Sequence, residues 1–313
     1  MTSVVERRNT IPILSNVHLG TRNNELKLTS TDLDMEIVET VPARAKGEGA
    51  TTVPAHMFHD IVRKLPEGSD IEIARDGDQG RLTISCGQAR FSLQTLTADD
   101  FPSLSVDDLG HAFTMPAADL KRLIEKTRFA ISTEETRYYL NGIYLHAAES
   151  RGKPVLRAVA TDGHRLAQVE LPLPAGAKDM PGVIVPRKTV AELAKLAENG
   201  DGDVRIELSP SKIRVTTARV VLTSKLIDGT FPDYERVIPQ GNDKTMEVDN
   251  NAFAEAVDRV STLSSDKGRA VKLSITDGRL TLSVNNPDSG SASEELPVEY
   301  GFDPLEIGFN ARY

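Results

Sequence analysis

Apolar and polar residues alternate with a period of two in Arg81-Leu82-Thr83-Ile84-Ser85 and in Lys212-Ile213-Arg214-Val215-Thr216, which predicts short strands with one buried face. His111 to Thr114 predicts another strand, and Leu120, Leu123 and Ile124 after it mark the apolar stripe of a helix. A second helical stripe runs through Met57, Phe58, Ile61, Val62 and Leu65, with a counterpart at Val190, Leu193, Ala194 and Ala197. Pro54 and Pro186 are expected at the first turn of these helices, where a missing amide hydrogen costs nothing. Strands flank the helices, so the pattern predicts an α+β fold with two helices packed on antiparallel sheet.

The pattern recurs. From Ile11 the chain reads Ile-Pro-Ile-Leu-Ser-Asn-Val-His-Leu, then Thr31-Asp32, Val53-Pro54 and Phe101-Pro102; from Tyr138 it reads Tyr-Tyr-Leu-Asn-Gly-Ile-Tyr-Leu-His, then Thr161-Asp162, Val185-Pro186 and Phe231-Pro232. The Thr-Asp to Val-Pro spacings are 22 and 24 residues, and the Val-Pro to Phe-Pro spacings 48 and 46. Ala270–Ile275, an Asp277-Gly278 turn, Leu280–Asn286 and Ile307–Asn310 begin a third copy. The expected organisation is three repeats over residues 1–109, 110–241 and 242–313, the middle one complete and the outer two incomplete. The Tyr138-Tyr139-Leu140 segment is expected as a strand, and the middle repeat as the fragment that best resists proteolysis.

Composition narrows the function classes. With 313 residues, 27% charged and 39% hydrophobic, the chain is globular in type and long enough for two or three cores. Nothing approaches the apolar run of about 18 residues that spans a bilayer, and Met1–Arg8 lacks the apolar core of a secretion signal. The single cysteine, Cys86, excludes an internal disulfide and a multi-thiolate metal site, and is expected in a buried strand. The expectation is a cytoplasmic protein without membrane attachment, metal or cofactor. Aromatic residues make up 5% with no Trp, a poor supply for stacking on single strands.

The net charge of −9 is unevenly spread. Residues 117–129 carry Lys121, Arg122, Lys126 and Arg128 against Asp119 and Glu125, a net of +2, while residues 54–65 and 186–198 carry +1 each. These helical segments therefore hold +4 and the remainder −13. Equivalent helices facing one way would combine into a basic lining suited to phosphates without base readout. Ordinary solvated helix faces are the alternative.

Thr161-Asp162-Gly163-His164-Arg165 invites an enzymatic reading, with Asp162 and His164 as acid, base or metal ligands of a hydrolase. No second His-rich element accompanies the pair, and an Asp-Gly turn between strands is the plainer account. A β-rich repeat scaffold that binds only proteins is a further alternative.

As a set, Thr10–Leu14, Arg137–Gly142, Ala160–Ala167, Val185–Lys188, Phe231–Tyr234 and Ile307–Asn310 resemble the bacterial DNA polymerase III beta subunit, the sliding clamp. The resemblance runs the length of the chain and implies three clamp-type domains in a non-catalytic, ring-forming homodimer around duplex DNA. It implies tethering of the replicative polymerase, the clamp loader and other proteins that carry a clamp-binding motif. By the same resemblance the chain is clipped at both ends. The resemblance places Arg8, His56, Arg63, Tyr138, Tyr139, Arg187, Lys188 and Arg236 near DNA, and a partner-peptide cleft at Leu140, Thr161, Gly163, His164, Arg165, Leu166, Pro232 and Val237. The dimer seam it implies sets Arg90, Phe91 and Leu93 against Leu263, Glu294 and Glu295, with Arg facing Glu to fix the register.

Overall fold

Each strand–helix corner is set by a proline that ends the strand, because a residue without an amide hydrogen neither continues a ladder nor is missed at a helix start. Val53-Pro54, Met115-Pro116 and Val185-Pro186 all end strands and lead directly into helices. Pro54 is thus the last strand residue, one position earlier than the expected first turn. The computed structural model describes residues 2–6, 9–76, 80–104, 109–198, 202–264 and 269–313.

The chain divides into two compact units, residues 1–231 and 232–313. Unit one begins with β1 (Asn16–Arg22), β2 (Glu25–Thr31), β3 (Met35–Pro42), β4 (Gly49–Pro54), α1 (Ala55–Val62), β5 (Glu72–Asp76), β6 (Arg81–Cys86) and β7 (Ala89–Gln94). It continues with β8 (His111–Pro116), α2 (Ala117–Glu125), β9 (Gly142–Ser150), β10 (Lys153–Thr161), β11 (Leu166–Pro172), β12 (Val183–Pro186), α3 (Arg187–Glu198), β13 (Asp203–Leu208), β14 (Lys212–Thr216) and β15 (Val220–Lys225). Unit two contains α4 (Asn250–Ser261), β16 (Ala270–Thr276), β17 (Arg279–Asn286), β18 (Gly290–Pro297) and β19 (Leu305–Asn310). The Asp249 carboxylate caps α4 by accepting from Ala252 N at 2.8 Å.

Pairing shows the repeat directly: β4-β1-β2-β3, β12-β9-β10-β11 and β19-β16-β17-β18 share one antiparallel order. The hairpin pair after the helix also recurs, as β5-β6-β7 and as β13-β14-β15. Within unit one β15 pairs with β3, with Leu222 opposite Ile37, and fuses two repeats into an eight-stranded sheet. Met35 and Ile37 of β3 are consequently buried in the same core as Leu120, Leu156, Ile206 and Leu222. A second core gathers Val17, Leu19, Val53, Leu82, Ile84 and Leu93. Cys86 is buried, its Sγ donating to Ser69 Oγ at 3.2 Å. Unit two has its own core, where Ala256 and Val260 of α4 meet Leu273, Leu280 and Leu282.

One local expectation is corrected. Glu135–Leu140 is a 3-10 segment, and the strand begins only at Gly142. The i,i+3 pair of Arg137 with Glu134 and the bond from Asn141 N to Tyr138 O close tight turns where an extended chain was expected. Pro12–Ser15 is likewise 3-10, with the proline at its start. Among the described residues no helix is long and apolar enough to cross a membrane.

The β15–β3 ladder changes the proteolysis expectation. Cutting the middle repeat away from the first would expose two sheet edges and Leu222, which is fully buried. Limited proteolysis should therefore yield a protected fragment near residues 1–231, with the first cuts close to Pro232; a stable fragment of 110–240 would contradict the fused sheet.

Candidate functional site

The tight turn joining β10 to β11 is built by its own side chains. Gly163 N donates to Thr161 Oγ1 at 3.1 Å, and Thr161 Oγ1 in turn donates to Arg165 O at 2.7 Å. His164 N and Arg165 N both donate to Asp162 Oδ1, at 2.9 and 3.0 Å. Arg165 Nε completes the set on Asp162 Oδ2 at 3.2 Å. Gly163 has φ +88°, in the left-handed region, and a Cβ there would come within 2.5 Å of Arg137 Nη1. The Arg137 guanidinium lies across the turn, donating to Asp162 O at 3.3 Å and to both Glu134 oxygens at 2.8 and 2.7 Å. These bonds hold the Glu134 carboxyl below its ordinary pKa and raise that of Arg137.

Around this turn the expected cleft residues of unit one come together in part. Leu140 is buried, Leu166 is half-buried, and Gly163 and His164 are exposed. Phe129 and Arg137 were absent from the expected set. Phe129 is 53% exposed with the Arg165 guanidinium carbon 5.5 Å from its ring centroid, a cation–π arrangement. The signal available in the sequence was Arg128-Phe129 just after the first helical stripe, an exposed aromatic beyond a helix end. Pro232 and Val237 belong to unit two, both exposed, with Val237 ending the 3-10 segment Tyr234–Val237.

The geometry does not suit the hydrolase reading. Asp162 Oδ1 is engaged by two backbone amides and Oδ2 by Arg165, so the carboxylate serves the turn. Among the described residues no three His, Cys, Asp or Glu side chains cluster as metal ligands.

The cationic candidates separate by their surroundings. Arg187 is exposed at the first position of α3, its backbone N donating to Asn141 O at 2.9 Å. Arg122, Lys126 and Arg128 are exposed on and just after α2. Lys188 is exposed, and its ammonium bonds Asp32 and, at 3.3 Å, Val4 O, so it joins two repeats within unit one. Arg63 pairs with Asp60 at 2.9 Å, and in unit two Arg236 pairs with Asp233 at 2.6 Å. His56 Nε2 lies 2.9 Å from Val5 O. Tyr138 is 54% exposed and meets Tyr139 edge to face. Arg8 lies outside the described residues.

All the seam candidates but Leu263, which follows α4, lie on two terminal strands, β7 at one end of its sheet and β18 at one end of another. Along β7, Arg90, Ser92 and Gln94 face outward, Phe91 is half-buried and Leu93 is 5% exposed, packed with Leu82 and Ile84. Leu93 is therefore a core residue, because alternation directs it to the inner face. Glu294 is held by Arg259 of its own unit at 3.0 and 2.7 Å. Glu295 pairs with Arg279 at 3.5 Å, and Leu263 is half-buried, its carbonyl accepting from Asn286 Nδ2 at 3.1 Å.

Burial raises the Asp162 pKa, but the amide and Arg165 hydrogen bonds outweigh it and hold the carboxyl below the ordinary aspartate value. A depressed carboxyl stabilises the fold fully above its unfolded value, and that stabilisation is lost as pH falls through the folded value. A carboxyl-detected NMR titration should place the Asp162 midpoint below that of an unstructured aspartate, with protection of the His164 and Arg165 amides lost as the pH falls through it.

Models of the DNA polymerase III beta subunit match along the chain: the N-terminal domain over residues 1–105, the central domain over 114–233 and the C-terminal domain over 235–313. The beta sliding clamp of Caulobacter vibrioides is 54% identical over 311 residues, covering 99% of this chain and 84% of that protein. The Escherichia coli beta sliding clamp is 43% identical over 309 residues, 98% of this chain and 82% of that protein. Among solved structures, a DnaN sliding clamp from Bartonella birtlesii bound to griselimycin superposes with TM-score 0.95 at 55% identity, over 99% of this chain and 83% of that one. A Pseudomonas aeruginosa DnaN clamp, also bound to griselimycin, gives TM-score 0.92 at 43% identity over 98% and 82%. With its threefold sheet order and three matched domains, the chain belongs to the DNA polymerase III beta subunit family.

Proposed function

We propose that this chain is a DNA sliding clamp, a non-catalytic subunit that forms a ring around duplex DNA and tethers the replicative polymerase, the clamp loader and other partners by short peptides. The observation that carries the reading is the threefold recurrence of one sheet order in a chain whose domains all match the beta subunit family. We assign the domains to residues 1–109, 110–241 and 242–313. Replication of a bacterial chromosome sets the place of action in the cytoplasm.

In this reading Arg187, Arg122, Lys126 and Arg128 meet phosphates, joined by His56, Arg63, Tyr138, Tyr139 and Arg236, with Arg8 at the chain's start. Lys188 contributes through the junction it braces. Contacts of this type are independent of base sequence and fall with salt. The middle-domain turn with Leu140, Thr161, Gly163, His164, Arg165 and Leu166 takes the apolar anchors of partner peptides, and griselimycin is proposed to bind there. Pro232 and Val237 are the unit-two residues assigned to the same function.

A homodimer follows from the repeat. β7 corresponds to β15, and β18 to β3, so β7 of one copy should pair with β18 of another as β15 pairs with β3. Carrying the register across, Leu222 opposite Ile37 becomes Phe91 opposite Ala292, with Arg90, Leu263 and Glu295 beside the ladder. Leu93 supports it from within the core of its repeat, and Glu294 through its pair with Arg259.

Three measurements test the reading. The protein loaded on a closed circular duplex should stay bound until the DNA is linearised; equal retention on both forms would defeat the ring, and no DNA association at any salt would favour a protein-only scaffold. Arg187→Ala should weaken direct DNA binding equally on all sequences and reduce the salt slope by about 1. The double variant Phe91→Cys with Ala292→Cys should cross-link into dimers under oxidation while either single variant does not.

A further inference from the structure

The Thr-Asp turn occurs twice within unit one, which allows its parts to be separated. In the first copy Leu33 N donates to Thr31 Oγ1 at 3.0 Å, and Asp34 N and Met35 N donate to Asp32 Oδ1 at 3.0 and 2.7 Å. Asp32 N donates to Met35 O at 3.1 Å, as Asp162 N does to Arg165 O at 3.4 Å. Every one of these bonds has its match in Thr161–Arg165. Even the unfavourable backbone recurs: Leu33 has φ +75° where Gly163 has +88°. A leucine adopts the left-handed conformation only when its surroundings impose it. The threonine hydroxyl and the aspartate carboxylate therefore dictate the turn, and glycine is not what makes it.

The two copies differ in the second carboxylate oxygen. Asp32 Oδ2 receives the Lys188 ammonium from α3, which closes that turn into the junction between two repeats. Asp162 Oδ2 receives Nε of Arg165, its own neighbour, and that guanidinium lies over the Phe129 ring. Both turns leave their tip residues exposed, Leu33 and Asp34 in the first and Gly163 and His164 in the second, but only the first is tied to another repeat through its aspartate.

We propose that Asp162 is a positioning residue for peptide binding: it touches no peptide, but by accepting the His164 and Arg165 amides and holding Arg165 over Phe129 it sets the surface that the peptide meets. The inference rests on the reading that this turn receives partner peptides. An unpaired backbone amide pair costs enough that the turn should open without the acceptor.

The test is calorimetric titration of the full chain with griselimycin, alongside amide hydrogen exchange. Asp162→Ala is expected to weaken binding about tenfold or more and to speed exchange at His164 and Arg165. Asp162→Asn keeps an acceptor where Oδ1 sits but sets an NH2 donor against Arg165 Nε, so its affinity should fall between those of the parent and the alanine variant. Asp32→Ala removes the same bonds from the first copy, together with the Lys188 contact, and should lower the melting temperature without changing affinity. If Asp162→Ala does not fold, Asp162→Glu, whose acceptor sits one methylene further out, should weaken binding in the same direction. Parent-like affinity in the alanine or glutamate variant overturns the proposal. So does an asparagine variant as weak as alanine, or an Asp32→Ala variant that weakens binding as much as Asp162→Ala. Absence of binding by the unmodified chain instead overturns the peptide reading on which the proposal rests, and unchanged exchange at His164 and Arg165 in Asp162→Ala then refutes the positioning role separately.

Discussion

The need to pair every strand edge governs this molecule. A repeat made of a four-stranded sheet, helices and a hairpin ends in unpaired N–H and C=O groups, and such edges are sites for joining another chain. Within unit one the solution is visible: β15 donates its edge to β3, and Leu222, Ile37 and Met35 disappear into one core. The junction is then fastened by polar contacts, Lys225 with Asp34 at 2.9 Å and Ser3 Oγ to Glu192 at 2.7 Å. Exposed ion pairs such as Lys225–Asp34 contribute little by themselves, about 0 to 1 kcal/mol. A buried leucine contributes about 1.5–3 kcal/mol, so the apolar ladder holds the junction and the polar pairs fix its alignment.

Much of this was legible in the sequence because periodicity and landmark spacing report local structure. The stripe Val190, Leu193, Ala194 and Ala197 is the buried face of α3, and Lys212–Thr216 is β14 to the residue. Ile307–Asn310 falls on β19, paired with β16 as β4 is with β1. What was not legible depended on long-range partners. Tyr138–Leu140 carries strand-forming residues, yet the chain turns there because Arg137 reaches back to Glu134 and across to Asp162 O. Nothing in the local pattern shows Lys188 meeting Asp32, 156 residues away. Leu93 lay in an alternating run whose inner face only the β6 pairing identifies.

At the candidate site, the Thr161–Leu166 segment was found from the sequence through resemblance, while the residues that shape it were found from geometry. Phe129 and Arg137 lie in separate segments, before and within the 3-10 turn, and converge on Arg165 and Gly163 only in three dimensions. The Asp162–His164 pair illustrates the converse. Two residues that read as an acid and a base become one acceptor and one amide donor once the turn is drawn.

The neutralised cations bear on how such a surface behaves under a moving ligand. Lys188, Arg63 and Arg236 each sit against a carboxylate of the same unit, so their fields are muted where Arg187 and the residues of α2 remain outward. On the proposed function, each phosphate then meets a shallow attraction rather than a deep trap. A duplex advancing through successive positions crosses only low barriers, and one-dimensional diffusion proceeds with little friction.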